Sequence, residues 1–243
     1  MEFEESAFIL SARLHGESGA IVEALTALRG KWAAHVAGGA SRRLKPHLQP
    51  GARVTFAYRA RVAEQLGSAR VEGAGSGPSD LFDDSAALAG LTSAAAVVAA
   101  ALPEREPHPG VFLAFEALTV ALVDEDIWPA VMVRFEAGLL ADLGFGLDLS
   151  VCAVTGATDD LAWVSPRTGR AVSAAAGEPY KDRLLTLPMF LLSAQRGLVP
   201  GDIGAGLTLT GHFLQACVFD SLDRPLPPAR ERMIDRLRER GRL

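Results

Sequence analysis

Between Ser6 and about Val71 the apolar residues come in short runs broken by turn residues, a pattern that predicts strands. Five runs can be drawn, over residues 7–14, 19–28, 31–36, 54–61 and, at its start, 68–71. Arg29-Gly30 supplies a tight hairpin between the second and third, and Gln49-Pro50-Gly51 introduces the fourth. Five short strands in so little chain, with a Gly-Gly-Ala-Ser-Arg-Arg-Leu-Lys-Pro loop at residues 38–46, fit a small OB-type barrel. An SH3-like barrel fits almost as well. Gly73-Ala74-Gly75-Ser76-Gly77-Pro78-Ser79 then reads as a linker, after which the period changes. Residues 84–102, 108–123 and 127–143 predict helices, bounded by Pro103, Pro107, Pro109 and Gly144, and their Ala- and Leu-rich faces suit a bundle. Residues 145–177 return to short irregular pieces. Residues 184–195, 202–222 and 227–240 predict closing helices, the last basic and amphipathic with Met233, Ile234 and Leu237 on its apolar side. The expected class is α+β: a barrel domain at 1–73, a linker at 74–82 and a helical domain at 83–243.

Hydrophobic types make up 49% of the 243 residues and charged types 22%, enough for a packed core and too little charge for a disordered chain. Cys152 and Cys217 are too few for a disulfide scaffold, and a reducing cytosol is the expected compartment. Met1-Glu2-Phe3-Glu4-Glu5 lacks the basic start of a signal peptide, and no long stretch is free of charge, Gly and Pro. Neither export nor a membrane span is expected.

The net charge of -5 conceals a segregation. Residues 29–61 hold Arg29, Lys31, Arg42, Arg43, Lys45, Arg53, Arg59 and Arg61 and no acid, whereas residues 71–160 hold fifteen acids against Arg105 and Arg134. A basic block in an acidic protein is either a footprint for a polyanion or a solvated face that the acidic middle neutralises. Arg42, Arg43 and Lys45 fall on a strand connection, and on the next strand the two-residue period puts Arg59 and Arg61 on one face, with Arg53 on it too if no bulge intervenes. Together they could line a groove for a nucleic acid backbone. Tyr58 is the expected base-stacking ring, with Trp32 and Phe56 in the core. Sparse exposed rings imply binding through phosphates with little sequence preference.

Catalytic patterns are absent from the sequence. His15, His35, His47, His108 and His212 are scattered, and neither a Gly-x-Ser-x-Gly nor a phosphate-loop motif occurs. Asp124-Glu125-Asp126 reads as an acidic loop between helices, and Gly201-Asp202-Ile203-Gly204 as a helix start. No enzyme activity and no cofactor are expected.

An ordered set of motifs carries a resemblance. Phe8-Ile9-Leu10-Ser11-x-Arg13-x-His15-Gly16-Glu17, Gly38-Gly39-Ala40-Ser41-Arg42-Arg43 and Leu48-Gln49-Pro50-Gly51 are followed by Arg134-Phe135-Glu136-x-x-Leu139-Leu140-x-x-Leu143-Gly144-Phe145. Leu149-Ser150-Val151-Cys152 and Ser165-Pro166-Arg167-Thr168-Gly169 extend the series. Over nearly the whole chain this order resembles the RecO family of bacterial recombination mediators. The resemblance implies an N-terminal OB domain that binds single- and double-stranded DNA, joined to a helical domain. It further implies annealing of complementary strands, binding of the acidic C-terminal tail of the single-strand-binding protein SSB, and action with RecR to load RecA. A cytoplasmic, nucleoid-associated protein is expected on this basis.

Many members of that family carry a four-cysteine zinc element, and here the corresponding positions are Cys152, Thr155, Ser173 and Ala176. Three of the four sulfur ligands are gone, so the region 145–177 is expected to be a metal-free relic packed around Trp163, Val164 and Val172, with Cys152 a buried thiol. A receptor for an acidic tail with an apolar end needs an apolar pocket and a cation. Arg134 is the first candidate, with Lys181, Arg183, Arg232, Arg236 and Arg240 in reserve; the alternative for Arg134 is a pair with Glu136 or Asp142. The competing function is a protein-interaction scaffold whose basic strip binds acidic protein tails instead of DNA.

Overall fold

The computed structural model describes residues 1–62, 65–74, 81, 83–193 and 197–243. Of the expected linker at 74–82, residues 75–80 and 82 lie outside the described residues. The chain divides into two compact units, residues 1–124 with 227–233, and residues 125–226 with 234–243.

In the first unit β1 (Glu2–His15), β2 (Gly19–Thr26), β3 (Gly30–Val36), β4 (Arg53–Arg59) and β5 (Gly67–Gly73) close a barrel in the order β1-β2-β3-β5-β4. Neighbouring strands are antiparallel except β3 and β5, which meet in parallel through Ala34↔Gly67 and His35↔Ser68. This is the OB-type barrel. Along β4 the pleat alternates, so Val54, Phe56 and Tyr58 turn inward while Arg53, Thr55, Ala57 and Arg59 turn outward. Inside, Tyr58 lies 4.8 Å from Trp32 and 5.1 Å from Phe3, ring centre to ring centre. Burying each such side chain is worth about 1.5–3 kcal/mol, so these rings anchor the barrel.

Strand β1 serves two partners. It pairs with β4 through Glu2–Phe8 and with β2 through Ala7–His15, and a register shift between Ile9 and Ser11 turns it from one to the other. It begins well before the predicted residue 7, because Phe3 packs inward between exposed Glu2 and Glu4. Gly51 enters β4 with φ +85, and a Cβ there would lie 2.5 Å from the side chain of Leu91, so glycine is required on both counts.

Two further helices belong wholly to this unit. Asp84 caps α1 (Ser85–Ala101) by accepting from the amides of Ala86 and Ala87 at 2.9 and 3.0 Å. Helix α2 (Pro109–Ala121) starts on a proline and packs Phe112 and Phe115 on Phe8 of the barrel, with centroids 5.2 and 5.0 Å apart. The three Ala/Leu-rich helices were expected to form one bundle; α1 and α2 belong instead with the barrel.

The second unit holds α3 (Trp128–Asp142), a three-stranded sheet of β6 (Leu161–Val164), β7 (Ala171–Ser173) and β8 (Leu185–Thr186) in the order β7-β6-β8, and a short α4 (Ala174–Gly177). Helix α5 (Asp202–Phe213) continues as a π-helical stretch over Leu214–Phe219, and α6 (Pro228–Glu239) gives residues to both units. Helices α3 and α5 meet where Gly206 leaves room for Val133, and the Thr210 hydroxyl donates to the buried Glu136 carboxylate. The helix expected at 184–195 does not form among the described residues. Pro188 has no N–H and holds Leu187 extended, and the freed Leu187 amide donates to the Ala162 carbonyl at 2.9 Å. Among the described residues no helix is long and apolar enough to cross a membrane.

Candidate nucleic-acid interface

Of the nine residues assigned to DNA by sequence, five stand free. Arg42, Arg43, Lys45, Arg59 and Arg61 are exposed, and among the described residues none has a carboxylate partner. Burial corrects two others. Tyr58 is 1% exposed inside the barrel and offers no face to a base. Lys31 is 7% exposed, and its ammonium donates to the Ala99 carbonyl in the last turn of α1, where helix carbonyls lack intrahelical donors. Arg29 and Arg53 are engaged with acids. The Arg29 guanidinium lies 2.8 Å from Glu5 and 5.0 Å from the centre of the Phe3 ring, and Arg53 pairs with Glu116 of α2.

Strand pairing adds residues that no local pattern groups together. The register runs Arg13↔Ile21, Ile21↔His35, His35↔Ser68 and Ser68↔Arg59, so one outward row crosses all five strands at a single level. At about 4.8 Å per strand step the row spans roughly 19 Å from Arg13 to Arg59. On the next strand round, Glu2 faces Arg59 and ends the basic stretch. The His35 ring sits where a Cβ of Gly19 would be, 5.9 Å from the ring of His15.

Depressions flank this row. One, of about 530 Å³, is lined by His35, Arg59, Arg61, Gln65 and Ser68. Another, of about 400 Å³, lies where the 38–50 loop crosses the end of β1, and Arg13 and Lys45 share it. The loop is held by the Ala40 amide, which donates to Ser18 at 3.0 Å, and by a 3₁₀ turn over Lys45–Leu48. Arg42, Arg43 and Lys45 are thereby displayed on ordered backbone.

In the second unit, exposed Arg134 donates to the Phe190 carbonyl, with its guanidinium 5.9 Å from the centre of that ring. It forms no pair with Glu136 or Asp142. Among the reserve cations, Lys181 is bonded to Glu178 at 2.8 Å and Arg236 to Glu239 at 2.7 Å, while Arg240 faces Glu125 at 3.9 Å. The acidic loop is likewise engaged, since Arg242 bridges Glu125 and Asp126.

Cys152, Thr155 and Ser173 come together although the chain between them is long. The Cys152 sulfur is 1% exposed and accepts from the amides of Ser173 at 3.2 Å and Thr155 at 3.5 Å. Burial pushes the thiol up, but these hydrogen bonds together with the nearby Thr155 and Ser173 side chains outweigh it and hold the group at about 6. The Gly156 amide closes the turn onto the Cys152 carbonyl at 2.9 Å, with Gly156 at φ +74. Among the described residues no three His, Cys, Asp or Glu side chains gather as a metal site.

A closed OB-type barrel with exposed arginines on its outer face, followed by helices, defines a class of α+β proteins built on an OB domain. Comparison with known proteins narrows the class to DNA repair. Residues 1–74 match the family described as Recombination protein O N terminal, and residues 83–223 match Recombination protein O C terminal. The chain is 72% identical to the DNA repair protein RecO of Phenylobacterium zucineum (strain HLK1), over 100% of both chains. It is 66% identical to that of Caulobacter sp. (strain K31), again over 100% of both, and 48% identical to that of Methylobacterium nodulans over 95% of this chain and 96% of the relative. The chain belongs to the RecO family, whose role lies in DNA repair and recombination.

Proposed function

We infer that the chain is a non-enzymatic recombination mediator that binds single- and double-stranded DNA through the outer face of its barrel. The observation that carries this reading is the register row from Arg13 to Arg59, with the free cations Arg42, Arg43, Lys45 and Arg61 at its sides. Phosphates lie along a strand at spacings that such a row can follow, and six free cations displace enough counterions for useful affinity. The mediator anneals complementary strands by neutralising both. It takes the C-terminal tail of SSB on the second unit, with Arg134 as the cation, and works with RecR to load RecA on single-stranded DNA in the nucleoid.

Fluorescence anisotropy with a labelled single-stranded oligonucleotide tests this reading. Binding that weakens steeply with salt, and that outcompetes an acidic peptide of equal charge, is expected. Preference for the peptide would transfer the basic face to a protein partner and leave a scaffold in place of a DNA binder.

A further inference from the structure

The depression beside the loop is more than a gap between cations. Its volume of about 400 Å³ exceeds what phosphate contact needs and is of the size that holds a small planar ligand. Its walls are Ala12, Leu14, Ala40, Leu48 and Pro50, and Leu14 stands 77% exposed at its side. Charge enters only from Arg13 and Lys45, neither of which has a carboxylate partner among the described residues. The Gln49 amide nitrogen is committed to the Lys45 carbonyl at 3.1 Å, which leaves its carbonyl oxygen as an acceptor.

The backbone supplies a second kind of partner. Strand β1 has left β4 at Phe8, so residues 11–15 are paired with β2 on one side alone. Residues 11–14 form a wall of the cavity, and they bring an unpaired strand edge with its own donors and acceptors.

We propose that this cavity holds a single unstacked nucleobase of single-stranded DNA, while Arg13 and Lys45 hold the phosphates on either side of it. The occupant follows from complementarity. Cationic rims select a polyanion, apolar walls select a flat uncharged group carried on it, and the strand edge with the Gln49 oxygen satisfies that group's polar rim. A base paired in duplex cannot enter, because its edge is engaged and its faces are stacked. The cavity therefore converts a face that attracts any DNA into one that favours single strands. This inference rests on the reading that the barrel face binds DNA.

The test compares three ligands on the full chain at fixed salt: a labelled 12-nucleotide single strand, the same backbone built of abasic sites, and the matching duplex. Ala40→Phe fills the cavity from an exposed position and keeps the amide bond to Ser18, and circular dichroism checks its fold. The wild type should bind the abasic strand about tenfold more weakly than the intact one. Ala40→Phe should bind the intact and abasic strands alike, with duplex affinity unchanged. Equal binding of intact and abasic strands by the wild type would overturn the base site while leaving DNA binding intact. A wild type that binds neither strand nor duplex removes the DNA reading itself. Should Ala40→Phe misfold, the abasic comparison on the wild type still decides.

Discussion

Removing Arg42, Arg43 and Lys45 together should flatten the salt dependence of binding to single-stranded DNA by a calculable amount. Among the described residues six Arg and Lys side chains on this face have no carboxylate partner, Arg13, Arg42, Arg43, Lys45, Arg59 and Arg61. Each phosphate neutralised on a single strand contributes about -0.7 to the slope of log K against log salt, so six give a slope near -4. The wild type should then lose roughly 300-fold in affinity between ~50 and ~200 mM salt, and the triple alanine variant, with a slope near -2, only about 20-fold. Arg29→Ala with Arg53→Ala is the control. Those two charges already sit against Glu5 and Glu116, and their loss should leave the slope within about 0.5 of wild type. The measurement is anisotropy at five or more salt concentrations on a short oligonucleotide. A triple variant with wild-type slope refutes the assignment of the loop, and a control that flattens as much as the triple refutes the distinction between free and engaged cations.

Tyr58→Phe removes a buried hydroxyl that has no hydrogen-bond partner among the described residues, so stability should change by less than about 1 kcal/mol in a thermal melt and DNA affinity should not change. Arg134→Ala should weaken a labelled SSB-tail peptide by about 10- to 100-fold in a variant that keeps its circular dichroism, since a charge-assisted contact is lost. Because the folded Cys152 thiol is held at about 6, below its ordinary value of 9.0, its stabilising contribution is complete above the unfolded value and is lost as pH falls through the folded one. The melting-temperature advantage of wild type over Cys152→Ala should therefore grow from pH 6 to pH 9. Protein purified without added metal should carry no stoichiometric zinc by elemental analysis, since Cys152 alone remains of four sulfur ligands.

The barrel strands were readable in the sequence because hydrophobic alternation and Gly/Pro punctuation are local signals, and β2, β3 and β4 fall within a few residues of their expected bounds. The start of β1 was hidden by its acids. Tyr58 was misplaced by residue type, although the same two-residue period that groups Arg53 with Arg59 assigns Tyr58 to the opposite face. By residue type Lys31 reads as a surface charge; its partner is a carbonyl of α1, 68 residues away in sequence. Arg13 and His35 went unassigned because a row is a property of strand register, and the pairing of Ala34 with Gly67 leaves no trace in either segment alone. Pro188 was the available warning against a helix at 184–195.

The parallel seam between β3 and β5 rests on two register pairs, Ala34↔Gly67 and His35↔Ser68, whereas β1 and β2 share a long ladder. With so few backbone pairs to hold it, this seam is the barrel joint that opens most readily in local fluctuations. The row from Arg13 to Arg59 crosses this seam at His35 and Ser68. On the proposed reading, a DNA strand lying along the row would work as an external clasp across this short joint, and an opening of the joint would part the row into two fragments and loosen the strand.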